Sequence, residues 1–196
     1  MNGSDKKIKI SFNSPVVLWF SIICLAALAA GTITGGASTD MFFSVYRSSF
    51  LDPLTYVRLI GHVFGHAGLE HFLGNITLLL VIGPMLEEKY GSLNLLFVIL
   101  ATAVITGLAN IILFPHVQLL GASGVVFAFI LLSSFASIRE GSIPLTFILV
   151  AIIYVGGQVY DGIFLQDNVS NLTHILGGAV GSALGFVMAK NKMSRY

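Results

Sequence analysis

Six apolar stretches dominate the chain, at about 15–35, 69–88, 93–114, 121–137, 143–160 and 170–189. A run of roughly 17 to 25 such residues is long enough to cross a bilayer as a helix. In lipid the backbone has to satisfy its own hydrogen bonds, so a chain of this kind folds as a helical bundle. Its composition leaves no other solution. Hydrophobic residues make up 56% and charged residues 10%, against about 25% charged in a soluble domain. With 196 residues there is room for one bundle and no second domain. The expected product is an all-α polytopic membrane protein. A short cytoplasmic segment covers 1–14, one membrane domain 15–190 and a cytoplasmic tail 191–196. A formal net charge of +1 argues against a nucleic-acid partner. Cys24 is the sole cysteine, so no internal disulfide forms. The first run follows Lys6, Lys7 and Lys9 in the manner of a signal peptide. It continues past Ala30 and five more runs follow, so it reads as a retained signal anchor.

The basic residues set the direction of the spans. Lys6, Lys7, Lys9, Lys89, Arg139, Lys190, Lys192 and Arg195 all fall on one side of a six-span arrangement, and that side is cytoplasmic by the positive-inside rule. Arg47 and Arg58 lie on the other side, in a loop over about 36–68. That loop is too long for a plain connection and is expected to be folded and functional. In this topology spans two, four and six all run inward from the outer face. His71 and Asn75 then lie early in span two, Ser123 early in span four and His174 early in span six. At about 1.5 Å rise per residue, the four share one depth, one or two turns below the outer surface. Polar groups inside a membrane are costly unless they pair or meet water, so their convergence marks a site.

Each of these residues has a chemical reading and a plainer one. Ser123 sits in Gly121-Ala122-Ser123-Gly124 at a helix start, where free backbone N–H groups and the helix dipole favour an oxyanion. The same small residues also serve close helix packing. His174 precedes Gly177, Gly181 and Gly185, a stripe that lets helices approach to the distance a Ser–His pair needs. Its plainer role is a core histidine bonded to a carbonyl. No acidic residue flanks it in its span, which points to a dyad; Asp161 and Asp167 are the loop alternatives for a third member. His71 and Asn75, four apart, share a helix face and both donate hydrogen bonds. They suit an oxyanion hole completed by the Ser123 N–H, or equally a polar contact between helices.

His62 and His66, also four apart, raise a zinc site as a rival. The HExxH signature is absent, since Glu70 precedes His71 and no histidine follows at the required spacing. The expectation is no metal and no cofactor, with His62 and His66 tying down the first loop. Gly31 to Gly36 reads as the end of span one, because neither a lysine nor a strand gives it a phosphate-loop context.

At these residues the sequence resembles the rhomboid family of intramembrane serine proteases, of the bacterial six-span type. The resemblance covers about 45–190. It rests on His62-x-x-x-His66-x-x-x-x-His71-x-x-x-Asn75, then Glu87 to Gly91, then the GASG of Ser123, then His174-x-x-Gly177. It implies six helices around a short central fourth helix, with a water-filled cavity open outward. It implies Ser123 as nucleophile, His174 as general base, and His71, Asn75 and the Ser123 N–H as the oxyanion hole. Gly121, Gly124 and Phe127 would support the active site; Arg58, His62, His66 and Glu87 would anchor loops. The substrates implied are single-span membrane proteins, cut near the outer face, with span five and the loop at about 161–170 gating entry. The setting implied is a bacterial inner membrane. The chain departs from the family pattern at Phe127, where a Tyr is usual, at Val57, which replaces the Trp of a Trp-Arg pair, and at Thr173, which replaces an Ala.

Two other functions compete. A catalytically dead relative that binds and routes membrane proteins would usually lack Ser123 or His174, and both are present. A small transporter would favour internal repeats and charges deep in the spans, and neither is evident.

Overall fold

The computed structural model describes residues 11–134, 145–146, 148–150, 152–153, 156 and 168–193. Seven α-helices are defined there: α1 (Pro15–Ile33), α2 (Ala37–Phe42), α3 (Pro53–Gly61), α4 (Leu69–Tyr90), α5 (Ser92–Leu113), α6 (Ser123–Ser134) and α7 (Asn168–Met193). A 3-10 turn over His62–Phe64 follows α3. Among the described residues the β-structure is one isolated antiparallel bridge, Val45 with Leu119. Helices α1, α4, α5 and α7 are each long and apolar enough to cross a membrane, whereas α6 is a shorter apolar helix. The span expected over about 143–160, and the loop after it, lie largely outside the described residues.

Side-chain polarity explains how the bundle sorts itself. Val125, Val126, Ala128, Phe129, Ile130, Leu131 and Leu132 of α6 are all buried. A helix apolar and buried on every side belongs at the centre, and α6 packs against α4, α5 and α7. The long helices instead expose apolar side chains outward, among them Val81, Met85, Leu93, Phe97 and Phe186. Those faces meet lipid.

Lipid tails are as apolar as leucine, so helices here associate through close packing and internal hydrogen bonds. Two contacts fix α1 against α4. Gly83 leaves room for Val17, whose methyl would lie 2.6 Å from any Cβ placed there. Glu87 accepts from the Val16 and Val17 backbone N–H groups at 3.0 and 3.1 Å. These are free donors of the α1 N-terminus, where a carboxylate is favoured. The same carboxylate accepts from Ser92 Oγ at 2.7 Å, holding the start of α5 beside the end of α4.

The first loop is folded, as its length predicts. Asp52 caps α3 by accepting from Leu54 N at 3.0 Å, with Pro53 opening the helix. Asp52 also pairs with Arg58 at 2.7 Å. Arg58 is buried and lies 4.7 Å over the Tyr46 ring. Both contacts hold the Asp52 carboxyl below its usual pKa, the backbone bond more than the guanidinium.

Candidate active site

The packing of α6 on α7 sets the geometry of the site. A Cβ at Gly177 would collide with the Gly124 carbonyl oxygen, and one at Gly181 with the Ala128 carbonyl oxygen. Both pairs advance by four residues in the same direction, so α6 and α7 run parallel with backbones in contact. Only glycine permits that approach. His174 lies one turn before Gly177, and its ring stacks on Phe127 with centroids 4.2 Å apart and planes 7° from parallel. Ser123 opens α6, and both Ser123 and His174 line one cleft of about 750 Å³. His71, Asn75 and Phe127 line it too. The four polar residues that the sequence marked out thus line one cleft.

Gly121 lies between His71 and Ser123. Its φ is +132°, a conformation that residues with a Cβ rarely adopt. A Cβ there would lie 2.9 Å from His71 Cε1, 3.0 Å from His71 Nε2 and 3.8 Å from Ser123 Oγ. The imidazole of His71 and the hydroxyl of Ser123 therefore approach one point from two sides. Asn75 is buried and donates from Nδ2 to the His71 carbonyl at 3.1 Å. An amide nitrogen carries two protons, so one remains for a ligand. At Gly124 a Cβ would meet Thr173 Cγ2 at 3.3 Å, with Thr106 and Thr102 just beyond.

The first loop supports this cleft from behind. His62 is buried, with Nδ1 facing the carbonyls of Leu59 and Arg58 at 3.1 and 3.3 Å. Carbonyls only accept, so Nδ1 carries the proton. Nε2 lies 3.3 Å from Thr106 Oγ1. The His62 carbonyl in turn accepts from Gly121 N at 2.9 Å. His66 donates from Nδ1 to the Phe64 carbonyl at 3.2 Å and stands edge-on to His71 at 5.0 Å. Burial lowers the pKa of both His62 and His66 to about 4, aided at His66 by the nearby His71. Both are neutral at pH 7. Glu87 stands apart from these residues at the far end of α4, where it accepts from the start of α1 and from Ser92 at the start of α5. Among the described residues, no three His, Cys, Asp or Glu side chains gather as a metal site would require.

A family model described as the Rhomboid domain matches residues 53–191. The chain belongs to the rhomboid family. Similar rhomboid proteins include rhomboid-related protein 2 of Mus musculus, 32% identical over 196 residues, covering 89% of this chain and 65% of that protein. Rhomboid-related protein 1 of Caenorhabditis elegans is 30% identical over 147 residues, covering 68% and 40%. Rhomboid protease GlpG of Yersinia pestis is 26% identical over 182 residues, covering 90% and 64%. The chain thus spans less than two thirds of the length of these relatives. As a rhomboid protein with several apolar spans, it is an integral membrane protein.

Sequence reasoning passed over Asn110, a polar residue that reaches the segment before Ser123 in this rhomboid protein. It is buried on α5 and donates from Nδ2 to the carbonyls of Val45 and Val117, both at 3.0 Å. The available signal was an amide near the end of an apolar run, costly there without partners. The Val45–Leu119 pairing, closed by bonds of 2.8 and 2.9 Å, had no signal, because neither residue sits in a strand pattern.

Proposed function

We propose that this rhomboid protein is an intramembrane serine endopeptidase that cuts single-span membrane proteins near the outer membrane face. The reading is carried by one observation: Ser123, His174, His71 and Asn75 line the same cleft. In the proposed reaction His174, as neutral imidazole, takes the proton from Ser123 Oγ as that oxygen attacks the scissile carbonyl. The tetrahedral oxyanion receives hydrogen bonds from the second Asn75 amide proton, His71 and the Ser123 N–H at the start of α6. His174 then passes its proton to the leaving amine. A water molecule, deprotonated by His174, attacks the acyl-Ser123 ester, and His174 returns that proton to Ser123 Oγ as the second product leaves. The chemistry needs neither a metal nor a cofactor.

The membrane domain runs over 15–190 with six spans and lies in a bacterial inner membrane. Both termini are cytoplasmic, since eight of the ten basic residues fall on that side. The starts of α4, α6 and α7 then face outward, so the cleft opens where water enters. Substrates arrive laterally past span five.

The test is cleavage of a single-span reporter by detergent-purified wild type and Ser123→Ala in parallel. Cleavage by wild type alone is the expected result. Equal cleavage by Ser123→Ala would overturn the mechanism, and labelling of wild-type Ser123 by a fluorophosphonate checks the nucleophile directly.

A further inference from the structure

We infer that Asn110 is a positioning residue for Ser123, fastening the segment before the nucleophile to the first loop. This inference rests on the protease reading above. The residues between α5 and α6 include no helix, yet their last residue, Ala122, leads directly into Ser123. Leu119 and Ala122 pack into the hydrophobic core, but the segment's one internal backbone bond, from Val117 N to the Phe114 carbonyl, fixes no part of it to the bundle. It is held from outside at three alternate residues. The Val117 carbonyl accepts from Asn110 Nδ2, Leu119 exchanges both backbone bonds with Val45, and Gly121 N donates to the His62 carbonyl. Asn110 stands where these lines meet, because its second amide proton goes to Val45, the partner of Leu119.

The choice of an amide argues for position over packing. Asn110 Oδ1 is buried without a partner, a cost that an apolar side chain of the same volume would avoid. What such a side chain lacks is two protons directed to two different chain segments. Without them the Val117 and Val45 carbonyls lose a shared donor, and the segment is free to shift relative to His62. Ser123 Oγ and its own N–H would shift with it, while the cleft walls on α4 and α7 would stay.

Asn110→Leu and Asn110→Gln test this in the full-length protein in detergent, well below the melting temperature of each variant. Hydrogen exchange of the 117–121 peptide is read beside the rate of Ser123 labelling by a fluorophosphonate. In Asn110→Leu exchange should speed up and labelling slow by about tenfold or more, as small misplacements of reacting groups do. Asn110→Gln, which keeps both protons, should recover part of each. Unchanged exchange in Asn110→Leu would overturn the inference, and so would faster exchange with wild-type labelling. If wild type itself is not labelled, the protease reading falls first and this one with it.

Discussion

The ring of His174 lies flat on the ring of Phe127, 4.2 Å away and 7° from parallel. One residue comes from α7 and the other from α6, so the stack both joins the helices and fixes the plane of the proposed base. A histidine held in this way has one free direction of rotation fewer. That ring lines the cleft that Ser123 also lines.

Removing the platform should loosen the base. An aromatic pair of this kind is worth about 0.5–1.5 kcal/mol, so Phe127→Ala should lower kcat about tenfold at most if the whole contact serves orientation. Phe127→Tyr keeps the ring and should stay near wild type. Steady-state cleavage of a single-span reporter reads both. A Phe127→Ala enzyme with unchanged kcat would show that the stack does not position His174.

Two neighbouring glycines should respond differently to the same substitution. A Cβ at Gly177 strikes the backbone of Gly124, which has no way to yield except by parting α6 from α7. A Cβ at Gly178 meets only the Leu131 side chain, at 3.6 Å, an ordinary contact. Gly177→Ala should therefore cost about 10²-fold or more in activity, the effect of a displacement of about 1 Å at the reacting groups. It should also lower the melting temperature, while Gly178→Ala changes neither. Equal tolerance at both positions would contradict the backbone contact.

Asn75 gives one amide proton to the His71 carbonyl and lines the cleft, and in the proposed mechanism the second proton serves the oxyanion. Asn75→Ala should lower kcat by about 10²–10³-fold, the usual effect of losing one oxyanion donor. KM should hold, because the donor serves charge that exists only in the transition state. A rise in KM at constant kcat would assign Asn75 to substrate binding.

The fold was legible where the physics is local. Apolar length marks α1, α4, α5 and α7 directly, and each begins and ends within a few residues of its apolar run. That His71, Asn75, Ser123 and His174 line one cleft was legible because each stands early in its apolar run, and runs two, four and six enter the bundle from the same end if all six runs cross. Contacts made by backbone atoms across long separations were not. Asn110 reaches Val45 across 65 residues and Glu87 reaches Val16 across 71, and neither leaves any periodic trace. Glu87 shows the limit well. Its presence in a recurring motif marks it as an anchor, but what it holds depends on which helix start the fold brings to it.

The buried His62 should make the fold acid-sensitive within a definite range. Its pKa falls from the ordinary 6.5 to about 4 in the folded chain, because burial penalises the charged form more than the Arg58 and Leu59 carbonyls favour it. The unfolded chain therefore binds the proton more readily than the folded one, and acid favours unfolding. His62 costs nothing above pH 6.5. Stability should fall as pH drops from about 6.5 towards 4 and level off below, a loss of about 3 kcal/mol from this residue. His66, depressed to a similar value, acts over the same range. Thermal melting in detergent between pH 7 and 4.5 checks this in wild type and His62→Gln. The variant should start from a lower stability, since it gives up the Thr106 and carbonyl contacts, yet lose less on acidification. A variant as steep as wild type would mean that the His62 imidazole takes up its proton without unfolding the bundle.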